Sequence, residues 1–172
     1  RCTMTIVPFG ETFLGIEFNP HPQVLQVMNY NTGKIIKNND TRANAQYASF
    51  NGLVWKKGID EDALKNSGNI EPDYIVIRYA DVLLMYAEAK IELNQIDQSV
   101  LDAMNTVRAR AYGVDKSATD KYPAFTAMDQ KTLRTQLRME RRVEFPNEGL
   151  RYQDLIRWRI MNVAMSKKTY VT

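Results

Sequence analysis

Residues that most often carry chemistry are scarce in this chain. Its 172 residues include one cysteine and one histidine. Cys2 alone cannot close an internal disulfide, so cysteine usage points to no redox compartment. His21 sits between Pro20 and Pro22 in a stretch read as loop. No metal and no cofactor are expected. No apolar run approaches the ~20 residues needed to span a bilayer. The chain opens Arg1-Cys2-Thr3, without an initiator methionine, a basic-then-apolar leader or a small-residue cleavage site. A processed, trimmed or partial chain is therefore expected. A surplus of one charge is lacking too: 23 Lys and Arg face 20 Asp and Glu, for a net charge of +3. A nucleic-acid footprint shows a dominant basic face and a domain pI above about 9. Here the pI is 8.9. Glu140 interrupts the densest basic stretch, Arg134 to Arg142, and Glu144 follows it. Nucleic acid is not expected as a partner.

What is present divides at about residue 72. Length and composition suit one ordinary globular domain, with 44% hydrophobic and 25% charged residues. In residues 1–72, Thr3, Ile6, Val7, Phe9, Phe13, Ile16 and Phe18 are β-rich, broken by Gly10, Gly15, Pro20 and Pro22. Val24 to Met28 is a short strand or helical turn. Asn29 to Asn44 has the Asn, Thr, Asp and Gly content of loops, Tyr47 to Lys57 alternates in part, and Gly58 to Pro72 is polar again. The expectation is a loop-rich segment with few short strands.

Residues 73–172 read as helical. Ala80, Leu84, Ala87 and Ile91 fall at i, i+4, i+7 and i+11, one apolar stripe of a helix from Asp73 to Asn94. Val100, Met104, Val107 and Ala111 repeat that spacing in a second helix, from Ser99 to Tyr112. Ser99 and Asp102 resemble a capping box, and Gly113 suits the C-terminal stop. The two helices form a unit close to the roughly 34-residue tetratricopeptide period. A third helix is expected from an Asp129 N-cap to Phe145, ahead of Pro146 and Gly149. A fourth runs from about Leu150 to Met165, and residues 166–172 fray.

Four motifs occur along these helices: RYAxxLLxYAEA from Arg78 to Ala89, NxVRxRA from Asn105 to Ala111, ERRxEF from Glu140 to Phe145 and GxRxxDLxRW from Gly149 to Trp158. In this order they resemble the C-terminal half of the SusD/RagB family, over roughly Asp73 to Trp158. Those are surface glycan-binding lipoproteins of Bacteroidetes-type bacteria that lid an outer-membrane TonB-dependent transporter. The resemblance implies a mostly α fold of tetratricopeptide-like, SusD-like hairpins with a loop-rich N-terminal segment, as part of a longer protein. It implies a non-enzymatic role in nutrient uptake at the cell surface. The implied partners are an oligosaccharide or polysaccharide and a SusC-like TonB-dependent transporter. Membrane attachment would come only through a lipid anchor not present in this chain. The family's lipidated cysteine lies upstream of these motifs. Cys2, preceded by Arg1, is read as a plain buried thiol in an extended segment entering a core.

Leu133, Leu137, Glu140 and Glu144 share one stripe of the third helix, so two carboxylates extend an apolar face. Paired acids can serve a glycosidase, but a general acid needs an apolar pocket without nearby cations. Here Arg108, Arg110, Arg141, Arg142, Arg151 and Arg157 all lie in the motifs. Glu140 and Glu144 are therefore read as buried salt-bridge partners that lock helices together. Arg78, Glu88, Arg108, Arg110, Arg141, Arg151, Asp154, Arg157 and Trp158 join them as structural motif residues. Arg151 pairs with Asp154 at i, i+3, and Trp158 packs instead of stacking on sugar. No catalytic residue is assigned.

A glycan site needs rings that stack on a pyranose face and polar groups that satisfy its hydroxyls. Tyr30, Tyr47, Phe50 and Trp55 lie in or beside a stretch holding Asn29, Asn31, Asn38, Asn39, Asp40 and Asn51. These four aromatics are the ligand-binding candidates, and inward packing in a plain surface loop is the competing reading. Two other function classes remain open: a tetratricopeptide-like adaptor that binds peptides, which predicts tandem hairpins, and a carboxylate-dependent glycosidase.

Overall fold

The computed structural model describes residues 1–60 and 75–166. Its helices, among the described residues, are α1 (Cys2–Thr5), α2 (Tyr79–Glu92), α3 (Gln98–Tyr112), α4 (Gln130–Glu144), α5 (Leu150–Arg157) and α6 (Met161–Met165). Four short strands are β1 (Thr12–Phe13), β2 (Ile16–Glu17), β3 (Gln26–Asn29) and β4 (Lys34–Lys37). The chain divides into two compact units, one of Arg1 with Asp73–Asp154 and one of Cys2–Pro72 with Leu155–Thr172.

The helical unit follows the stripes. On α2, Leu84, Ala87 and Ile91 are fully buried and Ala80 nearly so. On α3, Val100, Met104 and Val107 are buried, while Ala111 is half-buried. Leu133 and Leu137 of α4 complete the core, which α2 shares with both α3 and α4. Each large aliphatic side chain buried this way contributes on the order of 1.5–3 kcal/mol. The small Ala80 and Ala87 let the neighbouring backbones approach. The short connection between α2 and α3 sets them as an antiparallel, tetratricopeptide-like hairpin.

The ends of these helices depart from the sequence expectation in three places. The first helix starts at Tyr79, because Arg78 is extended (φ −133°, ψ 160°); the expected start at Asp73 lies outside the described residues. The second is capped by Asp97 and not by Ser99: Asp97 accepts from the Ser99 backbone N–H at 3.0 Å. Lys90, and then the Ser99 hydroxyl, hydrogen-bond the Asp97 carboxyl and hold it down to about 2. The expected fourth helix is two helices, since Arg159 turns into the left-handed region (φ 54°) between α5 and α6. Two other ends match the residues named for them. Asp129 caps α4 by accepting from Thr132 N–H, and Gly113 closes α3 at φ 68°. Residues 167–172, read as frayed, lie outside the described set.

The other unit holds an antiparallel sheet in the order β1-β2-β3-β4. β1 and β2 join through Leu14 and Gly15, both at positive φ. A Cβ on Gly15 would meet the Asn31 side chain at 2.1 Å, so only glycine fits there. The stretch read as loop from Asn29 to Asn44 contains β4, which pairs Ile36 with Val27 and Ile35 with Met28. Two lysines flank only two apolar residues, which hid the strand. Cys2 corrects another expectation. It is exposed and lies in α1, a single helical turn with no buried residue. The chain enters the core later, at Val7, beside the bridge between Ile6 and Trp55.

The α2–α3 seam yields a direct test. Ala87→Trp overpacks a position with no exposed surface and is expected to lower unfolding stability by about 1–3 kcal/mol. Urea denaturation measures it, and an unchanged midpoint would refute the close-packed seam.

Candidate functional site

Two clusters of polar side chains stand out, and they differ in how fully their groups are engaged. The first is on the helices. Glu140, 1% exposed, accepts from Arg108 Nε and Nη2 at 3.0 and 2.6 Å and from Arg1. Glu144 accepts from Arg78 Nη1 at 2.7 Å, from Arg110, and lies 3.4 Å from Arg1. Arg78 also donates twice to Glu148, at 2.7 and 2.8 Å. Burial works against the Arg78 charge, but the bonds to Glu148 and Glu144 outweigh it and raise its pKa. Next along α4, Arg141 bridges Asp154 of α5 (2.9 Å) and Asp81 of α2 (2.8 Å).

Of the motif residues, the fold brings Arg78, Arg108, Arg110, Glu140 and Glu144 into one network, and Arg141 and Asp154 into its neighbour. Glu88 is buried on α2. Asp154 meets Arg141, and Arg151 is half-buried, its pKa lowered by burial and by the Arg142 charge against the attraction of Asp154. Arg157 lies 4.8 Å over the buried Trp158 ring. Glu148 and Arg1 join the networks without any signal in the sequence, and Asp81 joins them as well. Asp81 carried the one available signal, as a charge inside the apolar stretch of α2.

A cleft of about 460 Å³ opens against the first network, walled by Tyr112, Pro123, Met139 and Val143. Its charged groups, Arg1, Arg108 and Glu140, are bound to one another. A glycosidase acid needs surroundings free of cations; two guanidinium groups meet Glu140 instead.

The second cluster lies in the loops after β4, where most amides build the scaffold. Asn38 is fully buried and donates to the Asn19 and Val24 carbonyls at 2.7 and 2.6 Å. Asn44 donates to the Leu25 and Asn38 carbonyls. Asn29 and Asn51 accept from backbone N–H groups two residues on. Asn29 and Asn51 thereby form Asx turns, while Asn38 and Asn44 tie the loop to the segment before β3.

Above this framework lies a cleft of about 510 Å³ whose lining includes Asn39, Asp40, Gln46, Tyr47 and Ser49. That volume is within the roughly 300–1,000 Å³ of small-molecule sites. Tyr47 is 93% exposed. Asp40 is half-buried, its carboxyl raised in pKa by desolvation. Ser49 donates to Asn51 at 2.7 Å and keeps its acceptor lone pairs. Tyr47 is thus the one of the four aromatic candidates that lines the cleft. Phe50 is exposed but carries Arg42 on one face, with the guanidinium 3.9 Å from the ring centre. Trp55 is held by its bridge to Ile6, and Tyr30 follows β3 with its N–H on the Gly15 carbonyl. Gln46 and Ser49 were not singled out in the sequence, being ordinary surface residue types.

A sequence model of the SusD family matches residues 1–172. The chain belongs to the SusD family. It is 34% identical over 108 residues to SusD-like protein P25 of Formosa agariphila, covering 63% of this chain and 19% of that protein. It resembles the crystal structure of a SusD-like carbohydrate-binding protein from Bacteroides fragilis NCTC 9343, with a TM-score of 0.68 and 31% identity. That match covers 94% of this chain and 29% of the other. A second SusD-like protein from the same strain gives a TM-score of 0.62 at 27% identity, over 91% and 27% of the two chains. The chain therefore spans less than a third of each of these SusD-like relatives. Among the described residues, no helix is long and apolar enough to cross a membrane.

The ion network supplies its own prediction. Glu140→Gln keeps the shape but takes from Arg108 the carboxylate it is bonded to, while Arg1 retains Glu144, and is expected to cost about 3–5 kcal/mol of stability. Thermal and urea unfolding measure the loss. Reducing-end release from polysaccharides is expected at background for both proteins. A well-folded variant that had lost a glycan-cleaving activity of the parent would reverse the structural assignment.

Proposed function

We propose that this chain is part of a non-enzymatic cell-surface receptor that holds an oligosaccharide at the Tyr47 cleft and passes it to a TonB-dependent outer-membrane transporter. The observation that carries this reading is the cleft itself, with an exposed ring among amide, hydroxyl and carboxylate groups. A phenol ring presents a flat apolar face to the C–H side of a pyranose. Asn39 and Gln46 supply donors and acceptors for its hydroxyls, and Asp40 supplies acceptors alone. Membership of the SusD family and likeness to a SusD-like carbohydrate-binding protein support the ligand class. The SusC-like transporter, the outer-membrane location and a lipid anchor outside this chain follow the family's habit. The networks at Glu140 and Glu144 then hold the helices in place without chemistry.

Calorimetric titration against whichever polysaccharide the protein retains tests the site. Tyr47→Ala is expected to weaken binding by about 1–3 kcal/mol, on the scale of aromatic stacking on nucleobases. Trp55→Ala, outside the cleft, is expected to bind as the parent does. Parental affinity in Tyr47→Ala, with the fold intact, would remove the site from this cleft. Co-purification from detergent-solubilised outer membranes tests the transporter partnership, and its failure there would count against delivery.

A further inference from the structure

We infer that the Tyr47 cleft selects neutral, hydroxyl-rich glycans over uronate- or sulfate-bearing ones, and that Asp40 is the selecting residue. The inference rests on the reading of this cleft as the glycan site. Among the described residues, Asp40 is the one charged side chain that lines the cleft, and no lysine or arginine does. Arg42, the nearest arginine in sequence, is turned to the Phe50 ring and bonded to the Gln46 carbonyl. Those contacts hold the guanidinium on the Phe50 ring, and Arg42 is not among the residues that line the cleft.

The Asp40 carboxylate makes no hydrogen bond or ion pair among the described residues, although its own backbone N–H is anchored to Asn38 Oδ1 at 3.0 Å. A half-buried acceptor in that state has lost part of its water shell, which is why burial raises its pKa. A sugar diol supplies what is missing. Two adjacent O–H groups can donate to the two carboxylate oxygens while the ring lies against Tyr47. Bonds of this kind to a charged acceptor are stronger than neutral ones. A uronate or sulfate in the same place brings a second negative charge to a site with no cation among its described lining residues. Its donors are then opposed by like-charge repulsion, which a partly desolvated cleft screens poorly. The remaining lining groups, Asn39, Gln46 and Ser49, carry no charge and accept either kind of sugar, so discrimination falls to Asp40.

The test is retardation in polysaccharide-containing gels and calorimetry, with laminarin, mannan, xylan and starch as neutral probes and alginate, polygalacturonate and chondroitin sulfate as acidic ones. Measurements are made at about 0.15 M salt, where the Debye length is about 8 Å, because the net charge of +3 attracts polyanions non-specifically at low salt. The parent chain is expected to retain at least one neutral polymer and none of the acidic ones. Asp40→Asn is expected to weaken the neutral interaction about tenfold or more. Retention of an acidic polymer that depends on Tyr47, at least as strong as any neutral one, would overturn the selectivity while leaving the cleft as a glycan site. Unchanged neutral affinity in a folded Asp40→Asn variant would overturn the role of Asp40. The comparison of neutral and acidic probes on the parent chain needs no variant, so misfolding of Asp40→Asn does not remove the test. Retention of neither class, or retention indifferent to Tyr47→Ala, would overturn the glycan reading itself and this inference with it.

Discussion

Glu140 and Glu144 occupy the continuation of an apolar stripe, and the arrangement of the helices depends on how their charges are met. A carboxylate moved from water into a protein interior carries a desolvation cost of several kcal/mol unless its lone pairs are satisfied. On α4 that requirement draws in Arg108 and Arg110 from α3, Arg78 from the start of α2, and Arg1. Next to Glu140 in the chain, Arg141 imposes the same demand in the opposite sense and is answered by Asp81 and Asp154. The leucine and alanine seam tolerates small slips of one helix along another, because dispersion has little direction. Guanidinium–carboxylate forks do not tolerate them, since a slip leaves a buried charge without its partner. The apolar stripes bring α2, α3 and α4 together, and the ion pairs fix their register. The stabilisation comes mainly from burial; the ion pairs contribute specificity.

The loop-rich unit handles polar groups differently. With short strands and little regular pairing, its backbone must find hydrogen-bond partners elsewhere. Asn38, Asn44, Asn29 and Asn51 meet that need by bonding to carbonyl or amide groups of the loop. A composition that looks suited to sugar is thus largely consumed in building turns. What remains for a ligand is a smaller set on one side of the framework, grouped around Tyr47. Rigid support beneath an exposed ring favours recognition, because little order remains to be imposed when a sugar arrives.

The motifs behave as markers of architecture. RYAxxLLxYAEA, NxVRxRA, ERRxEF and GxRxxDLxRW share buried positions that pack or pair, so they identify the family and the helical hairpin while saying nothing about the ligand. Recognition lies where no motif falls. That division is physically sensible: the network at Glu140 and Glu144 cannot change one member without stranding another, whereas a cleft lined by loop side chains can vary without disturbing the core.

From the residues alone, the helices, their buried stripes, the Asp129 and Gly113 ends and the family were legible, because helical periodicity and capping are local properties carried by near neighbours in sequence. The start of the first helix, the Asp97 cap, the break at Arg159 and strand β4 were missed. At Asp97 and Arg159 one or two residues decide between conformations of similar local preference, whereas Arg78 and β4 take partners from elsewhere in the chain. β4 needs Val27 and Met28 opposite it before Ile36 and Ile35 have a reason to extend. The identity of the salt-bridge partners likewise waited for the fold: seven arginines in the motifs were available, and only helix packing selected Arg108 for Glu140, Arg78 and Arg110 for Glu144, and Arg141 for Asp81 and Asp154. The exposed aromatics show the same limit most clearly. Tyr30, Tyr47, Phe50 and Trp55 are equivalent as letters in an asparagine-rich stretch. Only the folded loop, by placing Arg42 over Phe50 and bridging Trp55 to Ile6, leaves Tyr47 at a cleft, because exposure is a property of surroundings that a linear sequence does not contain.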